Sequence, residues 1–513
     1  MPASQALLSR SALLLVLGSS TISAFAQEHL GPIDNVLLKN PYATPAGGSF
    51  GRGVVAGDFD DDGISDLAIS EPGGTRLRIL RGAAFTVGTP HVFTFFPETV
   101  TMPIHGYTMV SADFDGDGRD EIAVGAPNSS AGGASGAGLV YVMNLRPDGT
   151  WTLQSTIQAG GAYPGAAQAN ANFGNGLAAR DFNNDGYTDL AIGIRGQIVG
   201  GFDNAGAIMI TYGGLSGITA SQARIINRNS DGLSFSPKEN DYFGWALAAG
   251  DFDGDADDDL AVGILNGTCP NGTDRAGAVV VLNGSASDGI SNAGSRIWRP
   301  GVQGIAGTCA AGAGFGGALA AAHFSSTGFG ASPYYDLAIG APAVATSNDG
   351  SVHVIYGTST GLDVANNQRI VAPATAGFTS GRSWFGNNLA AGKLARACAG
   401  LTCAGDSLAV GAPLAIINGV DKAGAVWIFD AGSNGRLDTS NARPIFPLAP
   451  LKIGGPHSND QFGNGLASGD FNDDGRADLA IGVYLYDDAG ETDAGAVQVL
   501  YQSDLLFVDG FDG

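Results

Sequence analysis

The sequence predicts an all-β fold, a seven-bladed β-propeller. A block that opens with an aromatic-glycine pair and closes on Leu-Ala-Ile-Gly or a close variant recurs seven times. The runs within it are short, rich in Val and Ile, and bounded by Gly, Asn, Asp and Pro, which is typical of β-strands. No apolar period of about 3.6 residues persists for long enough to indicate helices.

Each repeat offers four strands. One precedes an Asp-rich turn, a second follows that turn, a third follows an Ala-Gly step, and a fourth often comes next. Four strands in seven radial repeats form a propeller, which protects sheet edges; a β-solenoid is disfavoured because its repeats are usually much shorter. The repeats begin at Phe50-Gly51, His105-Gly106, Phe173-Gly174, Phe243-Gly244, Phe315-Gly316, Phe385-Gly386 and Phe462-Gly463.

The repeats define one predicted propeller domain at 27–503, followed by a short tail at 504–513. The blade cores are expected near 50–82, 106–144, 173–213, 243–284, 315–357, 385–430 and 462–502. Val36, Leu37 and Leu38 precede the first Phe-Gly pair as fourth strands precede the later ones. We therefore infer that they supply the outer strand of the last blade and close the ring.

The N-terminus predicts export. An apolar run, Ala12–Leu17, follows Arg10 and is too short to span a bilayer. Ala24-Phe25-Ala26 before Gln27 fits the cleavage site of a signal peptide at 1–26. No other segment reaches the roughly 18 apolar residues of a membrane span. We expect a secreted or cell-surface protein without membrane insertion.

The charge balance excludes some partners and favours cations. The formal net charge is −24, with 49 acidic and 25 basic residues. Nucleic acids and anionic lipid surfaces are bound through Lys and Arg, so neither is expected as a partner. An acidic excess that is gathered at a few turns instead indicates bound cations.

Five of the seven Asp-rich turns share one spacing. Counted from the first acidic residue, side-chain oxygens stand at turn positions 1, 3, 5 and 9, and a backbone carbonyl at position 7 can complete a shell for a hard cation. The expected ligands are Asp58, Asp60, Asp62, Ile64 and Asp66; Asp113, Asp115, Asp117, Arg119 and Glu121; Asp181, Asn183, Asp185, Tyr187 and Asp189; Asp251, Asp253, Asp255, Asp257 and Asp259; and Asp470, Asn472, Asp474, Arg476 and Asp478.

Calcium is the expected cation, at about five sites. The alternative of a plain solvated turn is disfavoured because three or four carboxylates on one short turn would repel each other. The turns are not EF-hands, since the Glu at loop position 12 is missing and a strand follows. Oxygen ligands without Cys or His disfavour zinc and copper; magnesium stays as an alternative with stricter geometry. Turn position 6 is Gly in four turns and Ala256 in the fourth repeat, which is expected to weaken that site.

Six turns carry Phe at the second position, and we interpret these rings as plugs between neighbouring blades: Phe59, Phe114, Phe182, Phe252, Phe324 and Phe471. Repeat five reads His323-Phe324-Ser325 and cannot chelate a metal. Repeat six carries Cys398 and Cys403, which we expect to form a disulfide in place of a metal. A second disulfide, Cys269–Cys309, fits the topology, although four cysteines allow three pairings.

The Phe-Gly pairs, the Asp-x-Asp-x-Asp-Gly turns and three Gly-Ala-Pro triplets together resemble FG-GAP repeats, as in the propeller of integrin α subunits. The triplets are Gly125-Ala126-Pro127, Gly340-Ala341-Pro342 and Gly411-Ala412-Pro413. The resemblance implies a seven-bladed propeller with calcium between first and second strands. The chain departs from the pattern at His105-Gly106 and where blades three, four and seven lack Gly-Ala-Pro. The segment Leu505–Asp512 is similar to tails of some bacterial secreted proteins.

No catalytic residues are predicted. Gly357–Gly361 matches a nucleophile-elbow string, and Gly405–Leu408 an esterase-like one, but both fall on repeat junctions. The resemblance implies that ligands meet the face opposite the metal turns, where the loops vary most, so we expect a module that binds an extracellular protein or glycan there. The alternatives are an extracellular polysaccharide lyase or hydrolase, and a structural surface protein.

Overall fold

The computed structural model describes residues 35–502 except for 40–47, 72–75, 85–93, 96–99, 102–107, 231–232, 234–235, 288, 326–331, 343–348, 396–404, 449–450, 452 and 488–491. The secondary-structure elements within these residues are all strands. The signal peptide and the tail lie outside the described residues and stay predictions. No helix in the described part of the chain is long and apolar enough to cross a membrane.

Seven antiparallel sheets confirm the predicted propeller. Blades 1 to 3 contain Val54–Gly57, Asp66–Glu71, Arg76–Arg81, Thr94–Phe95 and Val100–Thr101; Thr108–Ala112, Glu121–Ala126, Leu139–Leu145 and Trp151–Ile157; and Phe173–Arg180, Asp189–Ile194, Ala207–Tyr212 and Thr219–Asn227. Blades 4 and 5 contain Phe243–Gly250, Asp259–Ile264, Ala278–Asn283 and Ser291–Trp298; and Ala318–Ala322, Asp336–Ala341, Ser351–Tyr356 and Asp363–Ile370.

Blade 6 contains Asn388–Gly392, Ser407–Ala412, Ala425–Phe429 and Arg443–Ile445, and a short pair, Phe378–Thr379 with Ile416–Ile417, lies beside it. Blade 7 contains Gly465–Gly469, Asp478–Val483, Ala496–Leu500 and, from the other end of the chain, Asn35–Lys39. Asn35–Lys39 pairs antiparallel with Ala496–Leu500, so the predicted ring closure is confirmed.

The first strands of neighbouring blades contact each other in a closed ring, so they surround the axis of the propeller. The second strands are buried at every residue, because each lies inside its sheet and is covered by a blade on both sides. The fourth strands form the outer rim and are partly exposed. Third strands are as buried as second strands, so burial decreases from the third strand to the fourth.

Strand direction divides the loops between two faces. Because strands alternate within a blade, the turns between first and second and between third and fourth strands lie on one side, which we call the turn face. The connections between second and third strands and between blades lie on the other, the opposite face. All five acidic turns therefore share one face.

Backbone contacts between blades explain the Phe-Gly and Gly-Ala-Pro motifs. The Phe243 N–H donates to the Ala205 carbonyl of the preceding blade at 3.1 Å, and the bond recurs at Phe315, Phe385 and Phe462. A Cβ atom built on Gly193, in a second strand, would overlap the carbonyl oxygen of Gly244 in the next blade. Glycine is required there because two backbones meet without room for a side chain.

The apolar cores lie between blades. Phe182 packs with residues of blades 3 and 4, and Phe252 packs with residues of blades 4 and 5. Phe59 contacts Trp151 of blade 2 edge to face, with ring centroids 5.7 Å apart. All six turn phenylalanines are almost fully buried. The interpretation of these rings as plugs between blades is confirmed.

Candidate metal centres

The five acidic turns adopt one conformation. The position 1 carboxylate accepts the N–H of position 6 at 2.8 to 3.1 Å. The position 5 carboxylate accepts the N–H of position 7 at 2.9 to 3.0 Å. Positions 4 and 6 both have positive φ, which Gly, Asn and Asp tolerate best. The sequence therefore fixes a tight loop with its carboxylates turned inward.

Each of three turns brings three of its own acidic groups together at one point. Ligand oxygens of Asp58, Asp60 and Asp62 lie within 4.8 Å of one another, as do those of two further groups. Those groups are Asp113, Asp115 and Glu121, and Asp251, Asp253 and Asp255. In blades 3 and 7 Asn183 and Asn472 stand at position 3 and accept the N–H of position 5 at 3.2 and 3.0 Å.

Two buried oxygens in these turns have no hydrogen-bond donor within the described residues. They are Oδ1 of Asp60 and Oδ1 of Asp115, both at turn position 3. A buried carboxylate oxygen without a donor is costly, and a hard cation satisfies it without a proton. The donor set of carboxylates, an amide and backbone carbonyls matches calcium or magnesium. The residues present therefore fit a divalent cation.

The position 9 carboxylate also holds the blade together. It accepts the N–H of the turn phenylalanine at 2.9 to 3.1 Å in all five turns. In four of them it also accepts an N–H that follows the third strand, for example that of Gly82 on Asp66 at 2.8 Å. Each carboxylate oxygen keeps a further lone pair, so this role is compatible with metal ligation.

Burial raises the pKa of these position 9 acids. The pKa is about 8 for Asp66, Glu121 and Asp478, and about 7 for Asp189 and Asp259, with neighbouring carboxylates adding to the effect of burial. Backbone N–H donors oppose the shift only in part. A cation among the carboxylates would favour the charged form and lower these pKa values.

Asp336 is a structural residue that the sequence analysis missed. It occupies the position 9 place in blade 5, where the metal turn is lost, and it accepts N–H groups from Ser325 at 2.7 Å and from Gly357 at 2.9 Å. Burial raises its pKa to about 6. The Asp before Leu-Ala-Ile-Gly was the available signal. In blade 6 Ser407 takes this place and donates to Asp430 at 2.8 Å.

Several turns are joined to a neighbouring blade by a bond that the sequence did not suggest. The N–H at position 8 donates to the carbonyl at position 1 of the preceding blade, as from Asp120 to Asp58 at 2.8 Å and from Ser65 to Asp470 at 2.9 Å. Tyr335 donates to Asp251 at 2.8 Å in the same way, although blade 5 has no acidic turn. The bond fixes the position of these turns along the propeller axis and their orientation.

The structure describes two of the four cysteines. A disulfide joins Cys269 to Cys309, with Cα atoms 6.3 Å apart, and ties the second-to-third connection of blade 4 to the segment that enters blade 5. Cys398 and Cys403 lie outside the described residues, so their pairing stays a prediction.

The residues of the esterase-like string, Gly405–Leu408, serve the scaffold. Ser407 is buried beside Asp430, and the Asp406 N–H donates to the His323 carbonyl of the preceding blade at 2.7 Å.

Burial, with Arg369 nearby, lowers the pKa of His353 to about 3, so this imidazole is neutral. The ring Nδ1 of His457 lies 3.2 Å from the Asp460 carboxylate, which also accepts the backbone N–H of His457. Each of these groups has a structural role.

The opposite face carries exposed apolar side chains near the axis and in its loops. Ile198 and Phe202 in blade 3 and Trp384 before blade 6 are each at least 40% exposed. The Arg195 guanidinium lies 4.9 Å from the centre of the Trp245 ring, so a cation–π pair spans blades 3 and 4. Exposed aromatic and arginine groups are the side chains enriched in binding surfaces.

Comparison with known proteins agrees with this architecture. A family model described as FG-GAP repeat matches residues 50–87, 105–143, 173–209, 243–282 and 462–500. These segments are the five blades with acidic turns.

Curated relatives match over part of their length. Phosphatidylinositol-glycan-specific phospholipase D of Rattus norvegicus is 34% identical over 160 residues, which are 31% of this chain and 18% of that protein. Integrin alpha-PS2 of Drosophila melanogaster is 31% identical over 225 residues, 42% of this chain and 15% of that protein. Integrin alpha-5 of Xenopus laevis is 27% identical over 226 residues, 42% and 20% respectively. The match spans about a fifth or less of each of these relatives.

Proposed function

This chain is a seven-bladed β-propeller of FG-GAP repeats, similar to that of integrin α chains, and on that premise we propose that it acts outside the cell as a calcium-stabilised module that binds a protein or glycan ligand. The observation that carries the proposal is the convergence of three acidic groups within 4.8 Å in each of three equivalent turns. Without a cation such groups repel each other.

Calcium would act as a structural element of the turn face. In each turn the side chains at positions 1, 3, 5 and 9 and the position 7 carbonyl would hold the ion. Asp58, Asp60, Asp62, Ile64 and Asp66 form one such set, and the turns of blades 2, 3, 4 and 7 supply the other four. The ion would neutralise buried charge and fix the turn, and because several turns are bonded to a neighbouring blade, it would also stiffen those junctions.

The ligand is proposed to meet the opposite face. Its loops vary from blade to blade, whereas the turn face repeats one conformation, and variable loops on a rigid scaffold usually carry binding function. Ile198, Phe202 and Trp384 give that face exposed apolar area. Extracellular location rests on the predicted signal peptide and on the disulfide Cys269–Cys309, a bond typical of oxidising compartments.

Thermal unfolding tests the metal part of the proposal. The chain from Gln27 onward is melted in millimolar calcium, in millimolar magnesium and in excess EGTA, and bound metal is counted after purification. Because a ligand of the folded state adds about 2.7 kcal/mol at a hundred times its Kd, calcium should raise Tm by several degrees, and more than magnesium does. Unchanged melting with no bound metal would contradict the proposal.

A matched pair of variants assigns the ions to the turns. Asp115→Ala should lower the calcium count by one, because it removes the position 3 ligand altogether; asparagine would not, since blades 3 and 7 carry it at this position. Asp203→Ala, at an exposed aspartate on the opposite face, should leave the count unchanged. Ligand binding is then tested on glycan and protein arrays in calcium and in EGTA.

One observation favours a second candidate, an enzyme. The relative with 34% identity is named a phospholipase D, although the match spans 18% of it. The sequence also left open an extracellular polysaccharide lyase or hydrolase. An activity that releases products from polysaccharide or glycolipid substrates and co-purifies with the protein in every chromatography step would favour catalysis over binding.

A further inference from the structure

A cleft opens at the outer rim between blades 4 and 5, away from the loops of the opposite face. Its inner part has a volume of about 160 Å³ and is lined by Asp253, Asn283, Arg296, Trp298 and Thr360. An outer part of about 450 Å³ continues past Gln303 and Asp363. The lining therefore combines an indole, amides, a hydroxyl and charges of both signs.

Three other blades fill this place with a tyrosine. Tyr212, Tyr356 and Tyr501 follow or end the third strands of blades 3, 5 and 7 and are buried. The Tyr356 hydroxyl accepts the N–H of Leu437 in the next blade at 3.0 Å, which seals the gap between the blades. Blade 4 has Asn283 at this position, so the gap stays open.

The fourth strand of blade 4 departs from the repeat at the same cleft. Trp298 stands where blades 2, 3, 5 and 6 have isoleucine, and it is 5% exposed. Its indole ring lines the cleft. The ring gives this wall of the cleft a broad apolar surface, where those four blades have a smaller aliphatic side chain.

Arg296 is an unused donor at the cleft. In blade 6 the equivalent Arg443 is paired with Asp430 at 2.6 Å. Arg296 is exposed, and no side chain in the described part of the protein forms an ion pair or hydrogen bond with it. Its guanidinium can therefore take a carboxylate in two parallel hydrogen bonds.

The inner end of the cleft offers an acceptor instead. In blade 1 the position 3 carboxylate, Asp60, is paired with Arg81 at 2.8 Å, and in blade 2 Asp115 accepts from Gln154 at 3.1 Å. Asp253 accepts from the Asp255 N–H at 3.2 Å but has no such side chain beside it among the described residues. Asp253 is also a proposed calcium ligand, and the lone pairs that the ion and the Asp255 N–H leave unused can accept hydroxyl groups.

We propose that this cleft binds one hexuronate unit of an acidic polysaccharide. The sugar carboxylate lies against Arg296, the sugar ring packs against the Trp298 indole, and the ring hydroxyls at the other end of the sugar donate to Asp253. A hexuronate carries its carboxylate and its C2 and C3 hydroxyls at opposite ends of the ring, which matches this order of groups. The inference rests on the proposed function, since it names a ligand class for the module.

The test uses trigalacturonate as probe and a neutral galactose trisaccharide as comparison, with calcium present. The chain has five tryptophans, and Trp298→Phe identifies the Trp298 indole N–H signal in a ¹H–¹⁵N spectrum. Trigalacturonate should shift that signal, and the neutral sugar should bind at least about tenfold more weakly. Absence of a shift at millimolar sugar, or equal affinity for both sugars, would overturn the proposal.

Charge variants test the orientation of the sugar. Arg296→Ala should weaken binding of trigalacturonate by about tenfold or more, whereas Arg224→Ala, the arginine at the same place in blade 3, should not change it. Asp363→Asn removes a negative charge at the outer mouth and should strengthen binding about twofold. An Arg296→Ala variant that binds like wild type would overturn the assignment.

Asn283→Tyr separates this inference from the proposed function. Tyrosine at this position should fill the cleft and abolish binding of trigalacturonate without lowering Tm, because three blades carry it naturally. Calcium stabilisation and any array ligand of the opposite face should be unaffected. If Asn283→Tyr still binds trigalacturonate, the cleft assignment fails while the calcium-stabilised module stands.

Discussion

Ala256 shows how strongly the turn dictates backbone conformation. Its φ is 74°, and glycine occupies the same position in the other four acidic turns with φ from 80° to 93°. The Ala256 N–H must point at the Asp251 carboxylate, 3.1 Å away, and only positive φ allows this. The turn therefore imposes a conformation that costs an L residue roughly 1–2 kcal/mol.

Replacing this alanine should stabilise the protein. Ala256→Gly removes the strain but adds freedom to the unfolded chain, so we expect a net gain of about 0.5–1 kcal/mol in the free energy of unfolding. Urea denaturation in EGTA measures the gain. The reverse change in blade 7, Gly475→Ala, should cost a similar amount. A loss of stability in Ala256→Gly would show that the strain argument is wrong.

At the scale of the element, the contact between a second strand and the next blade sets the spacing of the propeller. The carbonyl of Gly244 sits where a side chain on Gly193 would be, and the same pairing recurs at Gly263 with Gly316 and at Gly340 with Gly386. Because both partners are backbone, neither can rotate away. The blades can approach this closely only when both positions are glycine.

A methyl group at this contact should therefore separate two blades. Gly193→Ala should lower the free energy of unfolding by at least about 2 kcal/mol, at the upper part of the range for overpacking. Gly176→Ala is the matched control on the first strand of the same blade, where a Cβ atom would lie 3.1 Å from the nearest atom, the Trp245 carbonyl oxygen. Equal losses in the two variants, measured by denaturant unfolding, would contradict the contact argument.

These elements also show what sequence can and cannot predict. The repeat spacing predicted the blades, the turns and the closing strand, because each signal lies within one short segment. The second role of Asp66 could not be predicted, since it depends on where Gly82 falls after two strands have paired. The open cleft at Asn283 was missed for a similar reason: only blade-to-blade alignment shows that tyrosine is absent there.

For the whole molecule, ring closure determines cooperativity. Asn35–Lys39 pairs with Ala496–Leu500, the Gln498 side chain donates to Asn35 at 3.0 Å, and the Phe50 N–H donates to Ala494 at 3.1 Å. The last blade is thus built from both ends of the chain. Opening it would expose the edge of a buried strand and leave two blades with one uncovered side.

Removal of the closing strand should therefore destabilise every blade together. A chain that starts at residue 40 should melt at least several degrees below the chain from Gln27, in one broadened transition, because Leu38 and its neighbours leave the core and the edge at Ala496–Leu500 becomes free. A synthetic peptide of residues 27–39, added in excess, should bind that edge and restore most of the loss, and the same peptide with Leu38→Asp should not. If the shortened chain melts like the longer one, Asn35–Lys39 is dispensable and the ring is held by the packing of blade 1 against blade 7.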